Sequence, residues 1–165
     1  MSQIKLADRV GRIQPSATLA LTARAAALKA EGKDVVALTA GEPDFETPAY
    51  IRDAAMAALT KGGAVGRYTA ATGTPELRKA VAAKFNRDNG LEYSADNVLV
   101  SRGGKHSCFN LVAALINDGD EVIIPAPYWV SYPEMVRFYG GKPVIVDTSS
   151  TGFVLQPEAL KAAIT

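Results

Sequence analysis

The sequence predicts an α/β domain with a mostly parallel sheet covered by helices on both faces. In the second half of the chain, short apolar runs rich in β-branched residues alternate with segments of helical length. Each run is continuously apolar, which is typical of strands buried on both faces, and strand–helix–strand order is typical of parallel sheets. With 165 residues and 48% hydrophobic content, the chain is long enough to form one globular core.

The chain is expected to begin with an arm over residues 1–15 whose order depends on docking elsewhere. The following stretch, SATLALTARAAALKAEG, is rich in alanine and leucine, and Gly32 offers a C-terminal stop, so it predicts a helix. The apolar run at 35–38 predicts a short strand.

The next elements are predicted from helix start and stop signals. Thr47 and Pro48 predict a cap and a first-turn proline for a second helix. Residues 60–73 hold four glycines and few large apolar residues, so they predict an extended loop with a role in function or in an interface. The Thr74-Pro75-Glu76 triplet starts another helix, which the Asn89-Gly90 pair ends.

The second half predicts two consecutive strand–helix–strand units and a terminal helix. The predicted elements are a strand at 98–101, a helix at 105–116, a strand at 121–125, a helix at 131–139, a strand at 144–147 and a helix from Pro157.

Composition excludes several classes of function. Lysine and arginine total 18 against 17 aspartate and glutamate, so no field of one sign is available to recruit nucleic acid or an anionic membrane. One cysteine, Cys108, and one histidine, His106, exclude an intramolecular disulfide and a Cys/His zinc cluster, so no metal site is predicted. No apolar run approaches the roughly 20 residues that span a bilayer. We expect a cytoplasmic protein.

The stretch VSRGGKHS follows a predicted strand and starts a predicted helix. A helix N-terminus presents unpaired backbone N–H groups and the positive end of the helix dipole, which favour an anion. Gly103 and Gly104 allow close approach of the backbone, Lys105 adds a positive charge, and the Ser101 and Ser107 hydroxyls are within plausible reach. The turn therefore predicts a phosphate site, although a tight connection without a ligand explains the same residues equally well.

Two nucleotide-binding motifs fail at this turn. A Walker loop needs glycine where Leu99 stands and serine or threonine where His106 stands. The dinucleotide fingerprint needs a third spaced glycine, which is missing. A nucleotide-binding domain is therefore disfavoured.

The loop PAPYWVSYPE follows the next predicted strand and so emerges at the same edge of the sheet as the glycine-lysine turn. Trp129 is the only tryptophan, and two prolines stiffen its surroundings. Its ring could stack on a planar cofactor. Taken alone, simple packing on the core is the more ordinary interpretation.

Four segments occur together and in one order: LTAGEPDFETP, RYTAATGTPELRKAVA, VSRGGKHSCFNL and PAPYWVSYPEMVRFYGGKPV. They resemble the class I aminotransferases of the pyridoxal phosphate (PLP) fold type I, specifically the bacterial aspartate and aspartate/prephenate subgroup. The resemblance implies a three-layer αβα fold in which residues 1–45 belong to the small domain and 46–165 form the first part of the large PLP-binding domain.

The resemblance also implies cofactor-binding roles. Gly103, Gly104 and Lys105 match the turn that receives the phosphate of PLP, and Trp129 matches the aromatic residue stacked on its pyridine ring. Tyr68 matches the tyrosine that reaches the phosphate in the neighbouring subunit of a homodimer, with a buried structural tyrosine as the alternative interpretation.

For the substrate, the resemblance implies an amino acid and a 2-oxo acid: aspartate or glutamate with 2-oxoglutarate or oxaloacetate. Gly41 matches a glycine whose backbone meets the substrate carboxylate, and Trp129 borders the same space. Ser16 and Thr18 fall where a mobile N-terminal segment closes over a dicarboxylate substrate.

No catalytic residue is predicted within this chain. In the family, the Schiff-base lysine and the arginine that binds the substrate carboxylate belong to segments that follow the position matched by Thr165. We therefore expect the N-terminal part of an aminotransferase, with little transamination by this chain alone. The alternative is a non-catalytic module that binds phosphate or PLP, or serves in interactions.

Overall fold

The computed structural model describes residues 4–39 and 41–165 and has an α/β fold with a parallel sheet, as predicted. The residues form two compact units, one of residues up to 41 with 104–165 and one of 42–103. The helices and strands are α1 (Ala17–Ala30), α2 (Ala49–Lys61), α3 (Pro75–Asn89), α4 (Gly104–Leu115), β1 (Glu121–Ala126), α5 (Ser131–Phe138), β2 (Lys142–Asp147) and α6 (Pro157–Ala163). The predicted domain boundary between residues 45 and 46 stays a prediction.

The first unit is built on one β1–α5–β2 crossover. The two strands pair in parallel, from Glu121 opposite Lys142 to Ala126 opposite Asp147. The core lies between this pair and α5, where Ile124, Met135 and Val136 are buried. Helix α6 packs on β2, and α4 packs on α5.

The ends of the two strands are tied together through Thr148, which is only 4% exposed. Its backbone N–H and its hydroxyl both donate to the carbonyl oxygen of Ala126, at 3.0 and 2.7 Å. The carboxylate of Asp147, at the end of β2, accepts hydrogen bonds from the backbone N–H and from the hydroxyl of Ser149. These two bonds, the backbone bond more strongly, hold the pKa of Asp147 below its usual value.

The arm docks on α5 where the structure describes it. Residues Asp8–Arg12 form a 3-10 turn that contacts this helix. Arg12 Nη1 lies 3.0 Å from Asp118 Oδ1, and the N–H of Gln14 donates to Glu134 at 2.7 Å. The arm therefore contacts the rest of its unit through these residues, while the dependence of its order on docking stays a prediction; residues 1–3 lie outside the described part.

The second unit centres on α3. The Thr74 hydroxyl accepts from the N–H of Leu77 at its start, and Gly90 adopts the left-handed conformation at its end. Ala82 on α3 and Val98 are buried, and Arg78 donates to the Val98 carbonyl oxygen at 3.1 Å. Both predicted ends of this helix are confirmed.

Two predicted strands are wrong. Residues 35–38 and 98–101 adopt no strand, so one strand–helix–strand unit exists among the described residues instead of two. A strand forms only when a neighbour pairs with its backbone groups. The N–H of Val100 donates to the Thr72 carbonyl oxygen in a loop, and Val36 and Leu38 are exposed.

Two details of the second helix are also corrected. Helix α2 begins at Ala49. Pro48 is the N-cap and not the first helical residue, since its ψ of 138° is not helical, and it makes no side-chain cap bond. Thr47 is therefore not the cap. The predicted loop at 60–73 is shorter than expected, since α2 runs to Lys61 and Gly63–Gly66 form a 3-10 turn.

In the described part of the chain, no helix is long and apolar enough to cross a membrane.

Candidate functional site

The glycine-lysine turn leads directly into α4. Gly103 has a φ of +80°, in the region that favours glycine, and Gly104 is the first residue of the helix. No heavy atom of the described residues stands within 4 Å of the place where a Cβ of either glycine would lie. The first N–H groups of a helix lack intrahelical acceptors. The helix start therefore offers backbone donors, and the two glycines leave open space beside the backbone.

A buried hydroxyl precedes this turn in the chain. Ser101 Oγ is inaccessible to solvent and has no hydrogen-bond partner in the described structure. A buried polar group without a partner costs about 1–3 kcal/mol. Such atoms are rare in folded proteins and call for a ligand or water as the missing partner.

The structure brings Lys105 and Trp129 into contact. The ammonium nitrogen of Lys105 lies 4.4 Å from the centroid of the Trp129 ring, within the range of a cation–π interaction. Trp129 is 41% exposed, so the interpretation of a tryptophan packed only on the core is wrong.

Tyr132 packs against the Trp129 ring, a contact that the sequence analysis missed. The two rings meet edge to face, with centroids 5.5 Å apart and an interplanar angle of 84°. The two residues are three apart, and the N–H of Tyr132 donates to the Trp129 carbonyl oxygen at 3.0 Å in the turn that leads into α5.

Packing between α4 and α5 sets the distance between the turn and the aromatic loop. Phe109 of α4 contacts Phe138 and Tyr139, with ring centroids 5.8 and 5.4 Å apart. Lys105 is the second residue of α4, and Trp129 lies two residues before α5. The aromatic cluster therefore joins the helix that carries Lys105 to the helix that follows Trp129.

The residues predicted to meet the substrate make local contacts. The Ser16 hydroxyl caps α1 by accepting from the N–H of Leu19 at 3.3 Å, and the Thr18 carbonyl oxygen accepts from the Thr22 hydroxyl at 2.9 Å. Gly41 is exposed and has open space where a Cβ would lie. These residues belong to the same compact unit as Lys105 and Trp129.

Tyr68 belongs to the second unit, where its side chain is fully exposed. The alternative of a buried structural tyrosine is therefore wrong for this chain. An exposed tyrosine on a glycine-rich segment is available for contact with another molecule.

Residues 33–165 match the family model described as aminotransferase class I and II. The chain belongs to this family. It is 55% identical over 163 residues to the aspartate/prephenate aminotransferase of Nitrosomonas europaea, covering 98% of this chain and 41% of that protein. It is 50% identical over 163 residues to the aspartate aminotransferase of Geobacillus stearothermophilus, covering 98% of this chain and 41% of that protein.

Solved aminotransferases share the fold. The aspartate aminotransferase from Thermus thermophilus with maleate has a TM-score of 0.91 and 49% identity, over 99% of this chain and 42% of that one. The aspartate aminotransferase from Rhizobium meliloti has a TM-score of 0.93 and 48% identity, over 99% of this chain and 40% of that one.

This chain spans about two fifths of the length of the curated aminotransferases it matches. Class I and II aminotransferases generally depend on PLP, act on amino acids and oxo acids, and form dimers. The contact between Lys105 and Trp129 thus lies in a chain whose family works with a phosphorylated planar cofactor.

Proposed function

We propose that this chain is the N-terminal part of a PLP-dependent aminotransferase for dicarboxylic amino acids, with aspartate or glutamate and 2-oxoglutarate or oxaloacetate as substrates. One observation carries the proposal. A cation at a helix start, Lys105, lies 4.4 Å from a partly exposed aromatic face, Trp129, so a charge suited to phosphate and a surface suited to a flat ring occur together.

The residues at the turn fit a phosphate group. Gly103 and Gly104 leave space for its oxygens, the first N–H groups of α4 are donors, and Lys105 supplies positive charge. The helix start and the charge of Lys105 both favour an anion over a neutral ligand.

The aromatic loop fits the ring of the cofactor. Trp129 offers a flat surface that Tyr132 supports by an edge-to-face contact, and a ligand ring could stack on this surface. The bound cofactor supplies an electron sink for the substrate's α-carbon. The task of Trp129 is to hold the ring so that the reacting bond of the substrate is oriented correctly.

Substrate recognition is assigned to the other matched residues. Gly41 would present its backbone to the α-carboxylate, since a glycine allows close approach. Ser16 and Thr18, at the start of α1, would close over the second carboxylate of a dicarboxylic substrate. Tyr68 would reach the phosphate of a neighbouring subunit in a cytoplasmic homodimer, which agrees with its full exposure.

The experiment adds PLP to the purified chain, follows Trp129 emission and determines the intact mass after borohydride reduction. We expect reversible binding with one equivalent of PLP and only diffuse labelling of lysines, because no lysine of this chain matches the one that holds the cofactor covalently. Trp129→Ala should weaken binding about tenfold, since stacking on an aromatic side chain contributes roughly 1–3 kcal/mol; the cofactor's own absorbance reports on this variant.

Two outcomes contradict the proposal in different ways. Cofactor fixed at Lys105 alone would show that this lysine has a covalent role instead of binding phosphate. Equal affinities of the native chain and Trp129→Ala would favour the alternative function, an interaction module or a phosphate-binding module without ring recognition.

A further inference from the structure

Lys105 covers the ring face that the cofactor is expected to use. A ligand whose phosphate lies at the start of α4 and whose ring stacks on Trp129 is expected to use the ring face that Lys105 approaches from that helix start. Lys105 starts from the same turn, and its ammonium lies 4.4 Å above the Trp129 ring. A ring cannot stack on a surface that a side chain occupies, so Lys105 has to move before stacking occurs.

The position of Lys105 has an electrostatic reason. It is the second residue of α4, where the helix dipole is positive and where a cation is unfavourable. The face of an indole ring is negative and attracts a cation. Both effects favour the observed contact between the ammonium of Lys105 and the ring of Trp129.

A phosphate group reverses this preference. Its charge neutralises the positive helix start and offers Lys105 charge-assisted hydrogen bonds, which are stronger than an exposed cation–π contact. Lys105 is itself exposed, so little packing opposes its movement between the two positions.

We propose that Lys105 couples recognition of the phosphate to recognition of the ring: it covers Trp129 until a phosphate group binds at the start of α4, and then uncovers the ring for stacking. This inference rests on the proposed function, because it takes the glycine-lysine turn as the phosphate site. Lys105 is then a specificity-determining residue that favours ligands with both a phosphate and a flat ring over ligands with a ring alone.

Three probes separate the two parts of the ligand. Inorganic phosphate has the anion alone, pyridoxine has the ring alone, and pyridoxine 5′-phosphate has both. Neither ring compound carries an aldehyde, so neither reacts covalently with lysines. Binding to the full chain is followed through Trp129, its only tryptophan.

The variant Lys105→Ala should change the affinities for the two ring ligands in opposite directions. Pyridoxine should bind about two- to fivefold more tightly, because the face of Trp129 is no longer covered by a cation. Pyridoxine 5′-phosphate should bind about tenfold or more weakly, because a charge-assisted contact is lost. Lys105→Arg keeps the cation, so its affinities for both ligands should stay close to those of the native chain.

The matched control is Lys161→Ala, which removes the same charge from an exposed position on α6. It should leave both affinities unchanged. If it shifts them as Lys105→Ala does, a general effect of charge explains the data and the inference is overturned.

Nuclear magnetic resonance on the native chain gives a second, direct readout. Protons at the end of a lysine side chain shift upfield when they lie over an aromatic ring. The Lys105 side-chain protons should show this shift in the free chain and lose it when inorganic phosphate is added.

The possible failures are distinguishable. If pyridoxine 5′-phosphate binds while phosphate leaves the Lys105 shift unchanged, or if pyridoxine binds Lys105→Ala no more tightly than the native chain, the coupling is overturned and the proposed function stands. If no phosphate-bearing probe binds the native chain, the proposed function and the coupling fail together.

Discussion

At the residue scale, Gly141 shows how tightly the connection between α5 and β2 is packed. A Cβ at this position would lie 2.7 Å from Ile116 Cγ2, 2.8 Å from Val136 Cγ1 and 3.2 Å from the carbonyl oxygen of Asp120. Real Cβ atoms essentially never approach other atoms below 3.0 Å. The strand can therefore follow the helix closely only because this residue has no side chain.

We expect Gly141→Ala to lower the free energy of unfolding by about 1–3 kcal/mol, because the added methyl group overpacks a buried site. Urea unfolding followed by Trp129 fluorescence, which reports on the same compact unit, measures the change. Gly11→Ala is the control, since nothing lies within 4 Å of its Cβ position, and it should change stability by less than about 0.5 kcal/mol. Equal effects of the two substitutions would show that Gly141 is not confined as described.

Single residues also mark how far the sequence could predict the site. The start of α4 at Gly104 was predictable because a glycine pair before a periodic apolar run is a local signal of a helix start. The position of the Lys105 side chain was not predictable. Its ammonium contacts the ring of Trp129, which belongs to a different segment of the chain.

At the element scale, helices were predicted better than strands. Both ends of α3 follow from Thr74-Pro75 and Asn89-Gly90, because caps and stops act over a few neighbouring residues. The segment at 98–101 has the composition of a strand but adopts none, because a strand needs backbone groups supplied by a distant part of the chain. Composition alone cannot show whether that partner is present.

The parallel pair β1 and β2 gives a prediction at the same scale. We expect Thr148→Val to lower the free energy of unfolding by about 1 kcal/mol, because the hydroxyl bond to the Ala126 carbonyl oxygen is lost from a buried site while the side-chain shape is kept. Thr148→Ser keeps the hydroxyl and should cost less. Thermal unfolding of both variants measures the difference, and a Thr148→Val variant as stable as the native chain would show that this bond does not hold the strand ends together.

At the scale of the whole molecule, apolar side chains on the surface outweigh those in the core. Among the described residues, the apolar side chains that are almost fully buried are Ala82, Val98, Ile124, Met135 and Val136. Helix α2 alone exposes four large apolar or aromatic side chains: Tyr50, Ile51, Met56 and Leu59. Extended apolar surface of this kind is typical of protein–protein contacts.

We therefore expect the chain to self-associate as its concentration rises, with α2 as part of the contact, in keeping with a family that generally forms dimers. Met56→Lys and Leu59→Lys should each shift the equilibrium toward monomer by about tenfold or more, because burying an unpaired ammonium in an apolar contact costs more than the roughly 1.4 kcal/mol that a tenfold change represents. Thr60→Lys is the matched control: it adds the same charge to an exposed position of α2 without removing an apolar side chain. Sedimentation velocity over a range of concentrations measures all four chains. If Thr60→Lys dissociates the chain as strongly as the other two, net charge controls association. If the native chain stays monomeric throughout, the exposed apolar side chains of α2 do not drive self-association.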